Sequence, residues 1–227
     1  MMLSSAIQFL EFEGQTYVQT RALQEQLVQK RLQGVVPDSI LLGDHPPTLA
    51  LGRRSHEKDL GISIEAWKTL GVCVEQVDRG GSATFHAPGQ LIVYPVIHLT
   101  QRKLGVREFV SRMLLAIAQT VCEIGIPAES DLCDAGVWVR SNAGRKKVAS
   151  VGLRIVHGVT NHGFALNVDC DLEPFRMFRP CGFSGEVMTS LAAEQSDPPI
   201  ERAWVIERLK TVILEKLSET THRAAAC

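Results

Sequence analysis

The chain has 227 residues, with 24 basic and 25 acidic side chains and a formal charge of -1. Apolar residues make up 45% and charged residues 22%, enough apolar side chain to build a core, which excludes a disordered chain. The balanced charge gives no reason to expect nucleic acid or an anionic membrane as partner, and no run approaches the roughly 18 apolar residues of a membrane span.

The length suits one domain, residues 1–227. The first residues have no basic region and carry Glu11 and Glu13 within their apolar run, so they read as a strand and not as a signal peptide. A cytoplasmic chain with reduced thiols follows. None of the six cysteines forms a C-x-x-C pair, so a zinc ribbon or redox motif has no support and no metal is expected. Most of the six are expected to be small buried hydrophobes.

Ile7 to Phe12 alternates as a strand. Thr16 to Leu32 has helical spacing through Leu23, Leu27, Val28 and Leu32, with Gly34 as its cap. Ser39 to Leu42 and Thr48 to Leu51 read as short strands, Glu65 to Leu70 as a short helix and Val72 to Val77 as a strand. Leu91 to Ile97 is almost continuously apolar, hence a buried strand. Arg107 to Ile124 is the clearest helix, with Val106, Phe109, Val110, Met113, Leu114, Ile117 and Val121 on one face. Gly136 to Arg140 and Lys147 to Arg154 read as strands joined by a polar turn, and Val159 to Val168 as another strand. A closing helix over Ala203 to Leu217 turns Val205, Leu209, Val212 and Ile213 inward, and the tail beyond Ser218 is expected to fray. Grouped short strands with a few helices predict a mixed α/β fold with substantial antiparallel pairing. There is no G-x-G-x-x-G and no P-loop.

Three segments depart from ordinary patterning. Val77 to Gln90 holds Arg79-Gly80-Gly81-Ser82-Ala83-Thr84-Phe85-His86, where paired glycines permit either a hairpin turn or close approach to a ligand. Lys147 precedes the apolar Val148-Ala149-Ser150-Val151-Gly152, and is either an amine at a solvated edge or a desolvated one suited to proton transfer. Gly152 and Gly163 leave space beside their strands. Cys181 stands between Pro180 and Gly182, a setting for a loop nucleophile more than for a core thiol.

Together these segments resemble the bacterial lipoyl(octanoyl) transferases. The matching pieces begin with Leu42 to Leu51 and Gly52-Arg53-Arg54, then Asp78-Arg79-Gly80-Gly81, Thr84 to Gln90 and Tyr94-Pro95. Gly136 to Val139, Lys147 to Gly152, Thr160 to Asn167, Pro180-Cys181-Gly182 and Thr189-Ser190-Leu191 follow in the family's order, over about residues 38–192. The resemblance implies the fold of lipoate ligases and biotin protein ligases. It implies octanoyl transfer from octanoyl-acyl carrier protein to a lysine of lipoyl domains in 2-oxoacid dehydrogenase subunits and the glycine cleavage H protein, with no cofactor. By residue match, Cys181 accepts the acyl group and Lys147 is its acid/base partner. Arg79, Gly80, Gly81, Ser82, Ala83, Thr84, Phe85 and His86, with Ser150, Val151, Gly152, Gly163, Phe164 and Ala165, line the acyl site. The family usually has glycine at Ala87 and commonly tyrosine at Phe85, so a tyrosine hydroxyl is lost there.

Thioester exchange followed by amide formation needs no nucleotide. An ATP-dependent lipoate ligase needs no nucleophilic cysteine, a non-catalytic binding module for acylated carriers needs no reactive one, and a cysteine hydrolase puts water in the lysine's place. Acidic partners are expected to meet local basic pairs, with Arg53-Arg54 and Arg145-Lys146 favoured over Arg102-Lys103 by their closeness to the matched motifs.

Overall fold

A computed structural model describes residues 7–141, 144–195 and 197–219, and of Cys181 the backbone alone. In chain order the elements are β1 (Ile7–Phe12), α1 (Tyr17–Leu32), β2 (Asp38–Gly43), β3 (Thr48–Leu51), α2 (Ile64–Thr69), β4 (Cys73–Gln76), β5 (Ala83–His86) and β6 (Gln90–Val96). There follow α3 (Leu99–Arg102), α4 (Val106–Glu123), β7 (Ala128–Asp131), β8 (Gly136–Ser141), β9 (Gly144–Val156), β10 (Val159–Asn167), α5 (Glu173–Arg176), α6 (Leu191–Glu194) and α7 (Arg202–Ser218).

Seven strands form one sheet in the order β1-β2-β6-β10-β9-β8-β7, and β4-β3-β5 form a second. Only β1 with β2 and β3 with β4 pair in parallel; the other pairs are antiparallel. The mixed, largely antiparallel architecture expected from the strand grouping is therefore present.

Alternation along the central strands assigns the two faces of the large sheet. Leu91 and Val93 of β6 join Phe109, Met113, Ile117, Leu209 and Ile213 from α4 and α7. Ile92, Tyr94 and Val96 of the same strand join Leu27 and Val28 of α1 on the opposite face. A strand covered on both faces needs apolar residues at every position, which is why the Leu91 run reads as unbroken. A separate aromatic core of Trp67, Phe85, Phe175 and Phe178 lies under the small sheet.

Helix α1 shows how local sequence sets its own limits. The Thr16 hydroxyl accepts from the Gln19 N–H at 3.3 Å, and the Gln19 side chain accepts from the Thr16 N–H at 2.9 Å, a reciprocal cap. At the far end Gln33 is the cap, and Gly34 follows it at φ 71°. Gly34 N–H bonds Arg31 and Val35 N–H bonds Lys30, closing the last turn. The buried side of α1 carries Thr20, Gln24 and Arg31 besides Leu27 and Val28, so its inward face is half polar.

Several readings are corrected. Val106 is 47% exposed, because it starts α4 before the helix reaches the core. The segment expected as a loop or hairpin turn before Gln90 contains β5, which pairs with β3 because its apolar residues close the small core. Strand β9 starts at Gly144 and not at Lys147; Asn142 and Ala143, and the tail 220–227, lie outside the described residues. The expectation of buried cysteines fails for Cys73, Cys122 and Cys133, which are exposed on edge and end segments; Cys170 is buried. Cys227 lies outside the described residues.

Asp38 at the start of β2 is 4% exposed and accepts from Arg31 Nε at 2.7 Å, from Arg102 Nε at 2.5 Å and from the His98 N–H at 2.9 Å. This ties α1 and α3 to the sheet. Removing the carboxylate strands two cations at a mostly buried position. Asp38→Ala is expected to lower unfolding stability by about 3–5 kcal/mol in urea titrations, far more than a surface ion pair.

Candidate active site

The Gly80-Gly81 loop folds around its own neighbour. Arg79 is 5% exposed, and its guanidinium donates to the carbonyls of Ser82 and Ala50 at 2.8 Å and Gly80 at 3.1 Å. Gly81 has φ 90°, a left-handed turn that glycine adopts without strain. The loop is docked by Gly80 N–H on Leu153 of β9 and by Arg53 and Arg54 N–H on Arg79 and Gly81. Arg79 thereby reaches the edge of a cleft of about 410 Å³, open mouth included.

Arg79, Thr84, His86, Ser150, Val151, Gly152, Gly163, Phe164 and Ala165 line this cleft, and Tyr17, Tyr94 and His162 join them. Gly80, Gly81, Ser82 and Ala83 shape the loop and strand that hold Arg79 and Thr84 without lining the cleft. Phe85 points the other way: it is 1% exposed, with ring centroids 6.1 Å from Trp67 and 5.8 Å from Phe175. Strand alternation forces this, since Thr84 and His86 face the cleft from the same strand. Ala87 is buried in the same aromatic core. Gly152 is required by space, because a Cβ there lies 2.8 Å from Arg79 Cδ.

Three histidines bring order to the cleft. His86 Nδ1 is 2.7 Å from Gln90 Oε1, His45 Nε2 is 3.0 Å from the Tyr94 hydroxyl, and His45 Nδ1 is 2.8 Å from the Gln15 carbonyl. His162 Nε2 is 2.8 Å from Asp78 Oδ1, and its Nδ1 is 3.2 Å from the Tyr17 hydroxyl. Burial drives His86 down to about 3, helped by the neighbouring His45, and lowers His45 and His162 as well. Burial also raises Tyr17 to about 12 and Tyr94 well above its ordinary value. Burial opposes ionisation of Asp78, but the His162 hydrogen bond and the charge of Arg154 outweigh it and hold the carboxyl low. Neutral imidazoles facing acceptors fix the tautomers. The Gln15 carbonyl and the Asp78 carboxylate only accept, so His45 and His162 donate there, and each accepts a hydrogen bond from a tyrosine hydroxyl on its other nitrogen.

Sequence reading missed Tyr17, whose position at the head of α1 has no local signal. Tyr94, His162 and Asp78 stood within matched motifs but were given no role. His162 carries a signal only a backbone shows: φ 57° inside a strand, uncommon for a residue with a Cβ.

Lys147 is 4% exposed, which settles its setting as buried and not a solvated edge. A register shift between β8 and β9 places Lys147 opposite Trp138, with Nζ 5.0 Å from that ring and 5.3 Å from Phe183. Gly136 makes the space: a Cβ there falls 2.3 Å from Lys147 Cε. Cys181 lies in a single 3-10 turn, Pro180–Gly182, that packs against β5. The chain then passes Phe183 and returns beside β9, where Met188 bridges Lys147 and Thr189 N–H bonds the Lys147 carbonyl at 3.0 Å. The Cys181 turn thus packs against the cleft strand β5, and the segment that follows it against Lys147, which does not line the cleft itself.

Of the basic pairs, Arg145 is engaged by Glu129, Asp131 and Asp134 and stacks 4.2 Å over Trp138, while Lys146 donates to the Glu186 carbonyl. Arg102 is held by Asp38. Arg53 and Arg54 are exposed. Among the described residues no group of three or more His, Cys, Asp or Glu is placed to hold a metal ion, and no helix is long and apolar enough to cross a membrane.

A family profile described as "Lipoyl protein ligase A/B catalytic domain" matches residues 16–217. An octanoyltransferase of Desulfotalea psychrophila is 38% identical over 207 residues, covering 91% of this chain and 92% of that one. An octanoyltransferase of Chloroflexus aggregans is 38% identical over 194 residues, covering 85% and 86%. A lipoate-protein ligase A bound with ATP superposes with TM-score 0.69 at 15% identity, covering 95% of this chain and 86% of that one. A biotin protein ligase from Aquifex aeolicus, in complex with biotin and ATP, gives TM-score 0.53 at 16% identity, covering 93% and 69%. These two likenesses concern the fold.

The buried histidines make folding acid-sensitive. Unfolded imidazoles titrate near 6.5, whereas His45, His86 and His162 take up protons only at lower pH when folded. Below about pH 6.5 the unfolded chain therefore binds more protons, and stability falls as pH drops. The urea midpoint is expected to decline steadily from pH 7 to pH 5, as the unfolding free energy falls by up to about 1.4 kcal/mol per pH unit for each histidine. A midpoint flat over that range shows that the imidazoles ionise in the folded chain.

Proposed function

The chain belongs to the lipoyl protein ligase A/B catalytic domain family, and from that premise we propose how its site works. It is an acyltransferase that moves an octanoyl group in protein lipoylation. The donor is octanoyl-acyl carrier protein, the acceptor is a lysine of a lipoyl domain, and the reaction runs in the cytoplasm.

The Cys181 thiolate attacks the donor's thioester carbonyl. A new carbon–sulfur bond forms, the bond to the carrier sulfur breaks, and the departing thiolate takes a proton from the Lys147 ammonium, which leaves Nζ neutral. The acceptor lysine's amine then attacks the Cys181 thioester. An amide forms, Cys181 leaves as thiolate, and the amine's surplus proton passes to Lys147 Nζ. Exchange between thioesters is nearly balanced and amide formation is downhill, so no nucleotide is consumed. The observation that carries this reading is the burial of Lys147 against the segment that follows Cys181, on the strand whose Ser150, Val151 and Gly152 line the cleft. Neutral His86 and the strands around Gly152 and Gly163 suit an alkyl chain, each CH₂ of which contributes roughly 0.8 kcal/mol on burial.

Incubation with octanoyl-acyl carrier protein without ATP is expected to add one octanoyl group, mapped to the Cys181 peptide. Cys181→Ser is expected to abolish both adduct and transfer. Turnover only with ATP, or full activity of Cys181→Ser, overturns the reading in favour of a ligase. Lys147→Arg keeps the charge but hardly deprotonates; it is expected to retain part of the acylation of Cys181 and to transfer roughly 100-fold more slowly.

Docking rests on Arg53 and Arg54 and not on Arg145, which local carboxylates already neutralise. Reversing Arg53 and Arg54 to glutamate is expected to raise KM for the carrier-bound donor at low salt, with the difference shrinking as salt rises. An unchanged KM at low salt removes this pair from docking.

A further inference from the structure

Three residues at the ends of the sequence motifs, Gln90, Asn167 and Thr189, have no place in the reaction described above. They are 2%, 1% and 4% exposed. They form one hydrogen-bonded line. Gln90 Nε2 donates to Asn167 Oδ1 at 2.8 Å and to the Phe85 carbonyl at 3.2 Å, and Asn167 Nδ2 donates to the Thr189 carbonyl at 2.8 Å. At one end Gln90 Oε1 meets His86 Nδ1, and at the other Thr189 N–H bonds the Lys147 carbonyl. The Thr189 hydroxyl is held by Glu194 at the end of α6.

The partners dictate every proton. The Thr189 carbonyl only accepts, so the Asn167 amide nitrogen must face it and the amide oxygen must face Gln90. The Phe85 carbonyl and Asn167 Oδ1 then require the Gln90 amide nitrogen, which leaves Gln90 Oε1 to accept from His86. A line of buried groups with one consistent set of donors has a single arrangement, and reversing one member sets two acceptors against each other. The line also crosses the molecule at an informative place. It starts on a cleft-lining ring of β5, passes through β6 and β10, and ends on the segment that leaves Cys181 and returns to the Lys147 strand.

We propose that Asn167 is a positioning residue that seats the segment carrying Cys181 against Lys147 and couples that seat, through Gln90, to His86 in the acyl cleft. The inference rests on the reading of Cys181 and Lys147 as the reacting pair. It assigns Asn167 no contact with substrate.

Asn167→Asp tests it, because the new side chain has the same shape and a titratable answer. Protonated, the introduced carboxyl donates to the Thr189 carbonyl and accepts from Gln90, restoring the line. Ionised, it opposes the Thr189 carbonyl. The charged and titratable groups around it are His86 on β5, Lys147 on β9 and Glu194 on α6. The rate of octanoyl uptake by Cys181 in the variant, divided by that of the wild type, is expected to fall by roughly 100-fold from pH 6 to pH 8, the size of loss that misplacement by about 1 Å produces. A role confined to stability lowers that ratio equally at all pH values. Where near-ultraviolet circular dichroism shows Asn167→Asp to be unfolded, Gln90→Glu reads the same line at its other amide with the same sign. A ratio that does not change with pH in the folded variant, or wild-type rates throughout, overturns the proposal. A wild-type chain that takes up no octanoyl group at Cys181 overturns the reading of the site and this inference with it.

Discussion

Strand β10 is the constraint from which much of this structure follows. All nine of its residues are buried, it pairs with β6 on one edge and β9 on the other, and helices cover the sheet on both faces. Burial leaves its polar groups little contact with water, so each must find a partner within the protein or cost stability. Thr160 donates to the Pro95 carbonyl and accepts from the Ile97 N–H. The His162 N–H bonds Gln24 of α1 and the Asn161 side chain, and its ring bridges Tyr17 and Asp78. Asn167 holds Gln90 and Thr189. The half-polar inner face of α1 is the counterpart of this demand: Gln24 is buried there because β10 needs an acceptor.

Close approaches in so closely packed a sheet exist only where side chains are withheld. Gly163 sits 1.9 Å, measured from an ideal Cβ, from the Val93 carbonyl, and Gly152 leaves the slot that Arg79 crosses. Gly136 does the same for the Lys147 side chain one strand further out. These glycines keep the strands continuous while opening lateral space, which is a different use from the left-handed turn of Gly81. The result is a largely apolar cleft in which the Arg79 guanidinium is bonded to backbone carbonyls, beside neutral imidazoles and internally bonded phenols. An uncharged chain enters such a place at less cost than a charged one.

Much of the lining of the candidate cleft was legible in the sequence. Arg79, Thr84, His86, Ser150 to Gly152 and Gly163 to Ala165 were marked by glycine placement and motif order, and the structure gathers them around one cleft. The direction in which each residue of Arg79 to His86 points was not legible. Phe85 and Thr84 differ by one position, and strand alternation sends them to opposite sides, yet β5 itself was not recognised as a strand. Tyr17 was invisible for another reason: it is 145 residues from the histidine that holds it.

The sequence by itself determined the elements whose signal is local. Helix α1 has its cap box and terminal glycine, α4 its apolar stripe, β6 its doubly buried run, and each carries this in consecutive residues. The ordered motifs also determined the family and with it the class of chemistry. Only the tertiary structure decided which groups lost their water. Lys147 was equally consistent with an exposed edge until the register shift beside Trp138 buried it, and Arg145 resembled a free docking charge until three carboxylates from β7 and the turn after it surrounded it. Burial, register and charge pairing depend on residues far apart in the chain, so no window of sequence contains them.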